Sequence, residues 1–91
     1  HDALPILLCG HTARAQRQLE HSVRVADKYS RRFDQAVARY WLGRLLKSQP
    51  DGSRSQAQAD GQLRDAMALF TSVGASWEAE QARRLLGPHR A

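Results

Sequence analysis

Residues 33–43 read Phe33-Asp34-Gln35-Ala36-Val37-Ala38-Arg39-Tyr40-Trp41-Leu42-Gly43, and 44 positions later residues 77–87 read Trp77-Glu78-Ala79-Glu80-Gln81-Ala82-Arg83-Arg84-Leu85-Leu86-Gly87. Each copy opens on an aromatic and an acid, carries Ala-Arg five residues on, and closes on Leu-Gly. The segment ahead of each copy echoes as well: Ala15, Leu19 and Ser22 stand where Ala59, Leu63 and Ala66 stand later. A fixed period of this size marks stacked supersecondary units, each too small to bury its apolar face alone. Such stacks present binding surfaces more often than reaction centres.

The chain has 91 residues, enough for a single small domain spanning 1–91. Ala, Leu, Arg and Gln dominate, β-branched residues are few, and only three prolines occur. That mixture favours helix throughout. Cys9 is the only cysteine, so no disulfide can form within the chain. It reads as a small buried apolar residue in a reducing, cytoplasmic setting. No apolar run approaches the ~20 residues of a membrane span. The opening residues lack the basic start of a secretion signal. With Met67 the only methionine, the chain reads as a piece of something longer. The net charge of +5 rests on 14 basic residues spread along the chain, with Arg31-Arg32 and Arg83-Arg84 the only adjacent pairs.

Periodicity predicts about five helices. A short one covers residues 2–9, with Asp2 as its cap and Gly10 as its stop. A second runs from Thr12 to Tyr29, with Ala15, Leu19, Ser22, Val23 and Ala26 on one face. Ser30 is placed to cap a third, from Arg31 to Ser48, whose apolar residues cover more than half its circumference. A helix of that kind is buried between neighbours. Trp41 is expected in its packed face. Gly43, within it, implies a neighbouring helix coming close, because an interior Gly otherwise costs about 1 kcal/mol. Gln49-Pro50-Asp51-Gly52-Ser53 is a turn by its chemistry. Ser53 with Gln56, or Ser55 with Gln58, opens a fourth helix that reaches Ser72 and buries Ala59, Leu63, Ala66, Met67 and Phe70. Gly61 has no packing reason in this pattern, and the helix could instead start near Asp60. Gly74 is a stop signal, Ser76 caps the last helix, and Gly87-Pro88 ends it, with His89-Arg90-Ala91 frayed.

Helix pairs with Leu42-Gly43 late in the first helix, and Ala59, Leu63 and Ala66 spaced along the second, resemble tetratricopeptide repeats. Ala15, Leu19 and Ser22 match the preceding unit, and Leu86-Gly87 the following one. The family spaces its units at 34 residues, shorter than the period here, and the surplus falls in the Pro50-Asp51-Gly52 loop and in longer helices. The closing proline of the family is replaced by residues 71–74. Similar long, Arg- and Ala-rich repeats occur toward the C-terminus of large bacterial signalling and transcription regulators. The resemblance implies an all-α, antiparallel helix-hairpin stack, part of a solenoid, in which Leu42-Gly43 and Leu86-Gly87 play one structural role.

The resemblance also implies a groove lined by Val37, Tyr40, Arg44 and Lys47, with Gln81 and Arg84 at the positions equivalent to Val37 and Tyr40. Steps of three and four place the first four on one helical face. One aromatic among cations suits an acidic segment or a terminal carboxylate. The expected partner is a protein, a peptide or another domain of the same parent chain. Unmatched apolar faces at the ends, including Leu4, Ile6, Leu7 and Leu8, point to self-association. The rival reading is nucleic-acid binding through Arg31, Arg32, Arg39, Arg44 and Lys47, with Tyr40 and Trp41 to stack on bases. Catalysis is not expected. His1, His11, His21 and His89 have no metal-ligand spacing, Cys9 and His11 lack a second pair, and the six glycines are scattered singly rather than gathered in a phosphate loop. No cofactor or metal is implied.

Overall fold

The computed structural model describes the backbone of residues 3–49 and 52–87, and the side chains of residues 12–49 and 54–87. Four helices occupy it: α1 (Ala3–Tyr29), α2 (Arg32–Lys47), α3 (Gly52–Ser72) and α4 (Ser76–Leu86). The described residues contain no strand. The helices meet in chain order, α1 on α2, α2 on α3 and α3 on α4, and α2 also reaches α4.

The expected break at Gly10 is absent, because α1 runs through it. A single Gly costs a helix about 1 kcal/mol, and nothing in Cys9-Gly10-His11-Thr12 supplies a competing turn. Two expected helices are therefore one. Asp2, the side chains of residues 4–9 and His11, Pro50-Asp51, and residues 88–91 lie outside the described residues.

Both helix pairs turn by the same device. After α1, Ser30 N–H bonds to Asp27 C=O at 3.2 Å and Arg31 N–H to Ala26 C=O at 3.4 Å. After α3, Gly74 N–H bonds to Thr71 C=O at 3.1 Å and Ala75 N–H to Phe70 C=O at 2.9 Å. This paired bonding is a Schellman motif, which needs its first residue beyond the helix in the left-handed region. Ser30 has φ 55° and Gly74 has φ 77°. Ser30 is thus the stop of α1, not the cap of α2. The caps of α2 and α4 are Arg31 and Ala75, neither with a side-chain cap bond, so Ser76 is not a cap either. Ser53 and Ser55 also fall inside their helix, which starts at Gly52. The first-turn acids Asp34 and Glu78, and the last-turn cations Arg44, Lys47, Arg83 and Arg84, suit the helix dipoles.

The core has two parts. Ala36 of α2, Ala66 and Phe70 of α3, and Ala82 of α4 form one, with Val37, Tyr40, Met67, Leu69, Ala75 and Ala79 against it. Leu42 and Leu46 of α2 with Ala59 of α3 form the other, and Leu19 and Val23 of α1 pack on it. So many alanines bring helix axes close, and Gly43 brings them closest. A Cβ there would stand 2.7 Å from Leu63 Cγ and 3.2 Å from the Ala59 carbonyl oxygen. The expected close approach at Gly43 is therefore α3 itself. Gly87 does something else. It ends α4 at φ 78°, with nothing within 4 Å of a Cβ placed on it, so the two Leu-Gly pairs do not share a role. Gly61 likewise has open space where its Cβ would be.

Candidate functional site

α2 and α4 diverge above Phe70 and leave a cleft of about 350 Å³. Val37, Tyr40, Trp41 and Arg44 form its α2 wall, Trp77, Glu78 and Gln81 its α4 wall, and Phe70 of α3 its floor. Helical spacing explains the walls: residues 37, 40, 41 and 44 follow steps of three, one and three, a single stripe of α2. The same spacing puts residues 77, 78 and 81 on one stripe of α4. Phe70 is held edge-on to Phe33, ring centroids 5.5 Å apart, so the floor is fixed by packing across α2 and α3.

Four of the six expected groove residues, Val37, Tyr40, Arg44 and Gln81, line this cleft. Lys47 does not. Its Nζ lies 2.9 Å from Asp60 Oδ1, which ties it to α3 below the groove. Arg84 is also turned away, with Nε 3.5 Å from Glu80 Oε2 on its own helix. In place of the expected aromatic among three cations, the groove is an aromatic site with one arginine and one carboxylate. Periodicity alone hides this difference, because it assigns a face and not the acid that a long cation will bend toward.

Beyond the expected positions, the cleft is lined by the two tryptophans, Glu78 and Phe70. Trp41, expected in the packed face, is instead 47% exposed, and Trp77 is 71% exposed. Trp41 meets Tyr40 edge to face at 5.4 Å, and the Arg44 guanidinium lies 5.2 Å from the centre of its ring. That cation–π contact aligns Arg44 along the groove wall while leaving its donors free to meet a carboxylate. The available signal was the repeat itself: Phe33 corresponds to Trp77, and both open a helix at the same offset.

The basic stripe of the rival reading is not continuous. Arg39 makes a two-pronged bond to Asp27, Nη1 to Oδ1 at 3.0 Å and Nη2 to Oδ2 at 2.8 Å. Gln35 Nε2 also donates to Asp27 Oδ1 at 3.1 Å. These bonds, Arg39's first, hold the Asp27 carboxyl below its ordinary pKa. Arg31 lies 3.9 Å from Asp34. On α4, Arg83 and Arg84 hold the Glu80 carboxyl down to about 2, the Arg83 hydrogen bond contributing most, and the same pairing raises the Arg83 pKa.

A second, larger cleft of about 690 Å³ lies on the other side of Trp41, between α1 and α2. Leu19, Ser22, Val25, Ala26 and Tyr29 of α1 and Val37, Ala38 and Trp41 of α2 line it. No family model, curated protein sequence or solved structure matches this chain. No described helix is long and apolar enough to cross a membrane.

Proposed function

We infer that this chain is a protein-interaction module of the helical-repeat kind, similar in organisation to tetratricopeptide repeats, acting within a larger cytoplasmic signalling or regulatory protein. Recurrence of the same helix-end bonding at Ser30 and Gly74 supports a repeated unit. The role is binding rather than catalysis. The groove between α2 and α4 takes an extended or helical segment that buries an apolar side chain over Phe70 and sets one carboxylate against Arg44.

The observation that carries this reading is Trp77, with Trp41 facing it across the same cleft. An indole left 71% exposed is unfavourable in an isolated fold, and tryptophan and arginine are the residues that most often anchor partners. The test is a titration of the isotope-labelled protein with a short apolar peptide ending in a free carboxylate, and with its C-terminal amide. The acid should shift the resonances of Val37, Tyr40, Trp77 and Gln81, and the amide should bind about tenfold more weakly. Arg44→Ala should erase the difference between the two peptides, and Trp77→Ala should weaken both. Shifts that miss the groove, or an acid and amide that bind alike to the unaltered protein, would sink the reading.

A further inference from the structure

The cleft between α1 and α2 is the surface that, one repeat later, already holds a helix. α2 seats on Ala59, Leu63, Ala66 and Phe70 of α3 and on Ala82 of α4. Forty-four positions earlier stand Ala15, Leu19, Ser22, Ala26 and Ala38, and four of these, Leu19, Ser22, Ala26 and Ala38, line the open cleft. The two surfaces thus share their order and spacing, and one is filled by a helix while the other is an open cleft with the buried Ala26 and Ala38 in its lining. Its rim is apolar and open: Val25 is 40% exposed and Tyr29 62%.

Two substitutions within the repeat say what differs about the occupant. Where the later repeat has Phe70, the cleft has the much smaller Ala26. The incoming helix therefore carries a large apolar residue where α2 has Ala36. The second difference is charge. On the filled side, Gln35 and Arg39 of α2 border the same hollow as Asp65 and Ala68 of α3. At the equivalent places α1 carries His21 and Arg24. Arg14, Arg17, His21, Arg24 and Lys28 recur at steps of three and four, an exposed stripe along α1. No ion pair engages any of them among the described residues, and His21 and Ser22 border both this stripe and the cleft. A helix seated like α2 thus meets cations where α2 meets an acid.

We propose that the α1/α2 cleft docks an amphipathic partner helix in the manner of α2, with a bulky apolar residue over Ser22 and Ala26 and an acidic flank against His21 and Arg24. This site shares Val37 and Trp41 with the groove between α2 and α4 but has its own α1 wall, and it stands or falls apart from the function assigned to that groove.

The probe is a synthetic peptide of residues 31–49 carrying Ala36→Leu, Gln35→Glu and Arg39→Glu. Ala36 is wholly buried in its own site, so leucine there blocks exchange with the resident α2. Titrated into the labelled full chain, the peptide should shift resonances of Ser22, Val25, Ala26, Tyr29 and Ala38. Restoring Gln35 and Arg39 in the peptide should weaken binding about tenfold, and raising the salt should narrow that gap. Val25→Glu in the protein should abolish binding, and Arg24→Glu should reverse the peptide preference. Both positions are exposed, and thermal unfolding checks that each variant folds. Trp77→Ala should leave the affinity within about twofold, since Trp77 lies in the other groove. Absence of binding, shifts confined to α3, or indifference to Val25→Glu would overturn the proposal. So would a dimer of the chain itself that Val25→Glu dissolves while the peptide fails to bind, which gives the cleft to a second copy. Displacement of the peptide by arbitrary DNA or RNA with a steep salt slope would give the stripe to nucleic acid.

Discussion

The pair α1/α2 and the pair α3/α4 leave their first helices by the same two backbone bonds, yet they are not equally made. The second pair has Gly74 at the left-handed position, and its Ala75 packs with Phe70 against the core. The first pair has Ser30 at that position, and next to it Arg31, whose side chain is exposed. Phe70 sits where the first pair has only Ala26. Leu63 is fully buried against Gly43 of α2, whereas its counterpart Leu19 is half-buried. Repetition sets which residues face inward. The number of helices that cover a residue decides how much that facing is worth.

The sharpest way to break the equivalence is to truncate the paired leucines. Leu63→Ala should cost about 2–5 kcal/mol, the range for a close-packed core leucine. Leu19→Ala should cost about 1 kcal/mol, because much of its surface stays wet in the native state. Denaturant titration of the two variants gives both numbers. Equal costs would mean that the α1/α2 cleft is closed in solution.

Gly43 offers the next effect. Gly43→Ala drives a methyl into the fully buried Leu63 and should destabilise by about 1–3 kcal/mol. Gly61→Ala meets nothing and should stabilise by about 0.5–1 kcal/mol, since the same change removes only backbone freedom there. Opposite signs at two glycines in neighbouring helices would locate the close crossing without further structure.

That crossing was legible in the sequence, and so was the all-α class. The 44-residue period, the faces of α2 and α3 and the start of α4 after Gly74 all follow from spacing and glycine placement. What the sequence hid is of one kind. Ser30 and Ser76 both have good capping chemistry, and neither caps, because each turn is made by backbone bonds that reach across six residues. Trp41 lies on the apolar arc of α2, but no helix of the described residues covers that part of the arc. Lys47 and Arg84 share the groove face by angle and leave it for Asp60 and Glu80, acids whose reach no helical wheel records. The groove was half legible: its backbone positions could be read, but not its charge.

The two Schellman turns differ enough to be tuned. Ser30→Gly relieves a left-handed strain and should stabilise by about 0.5–1 kcal/mol. Gly74→Ser should cost about 1 kcal/mol by the same reasoning reversed. If Gly74→Ser costs clearly more than Ser30→Gly gains, the excess measures how strongly the Ala75 and Phe70 packing holds the second turn in its present geometry.

The smallest effect concerns Arg39 and Arg83, which occupy equivalent positions 44 residues apart. Arg39 reaches from α2 to Asp27 on α1. Arg83 has Thr71 at the matching site, and the Thr71 hydroxyl is engaged with the Met67 carbonyl at 2.8 Å, so Arg83 pairs along its own helix with Glu80 instead. Both carboxyls are held below their ordinary pKa. A depressed folded-state pKa contributes stability that is present above the unfolded value, about 4, and is lost as pH falls through the folded one. Acid should therefore weaken the fold below about pH 4 through both groups, the Glu80 part fading toward about 2. The consequences separate by geometry. Asp27 joins two helices, so Asp27→Asn should cost about 0.5 kcal/mol at neutral pH and flatten the acid limb. Glu80→Gln removes a pairing local to α4, which should loosen that helix's end in hydrogen exchange and leave the α1/α2 junction as it was. If Asp27→Asn leaves the acid limb unchanged, Arg39 is not the tie between the first two helices.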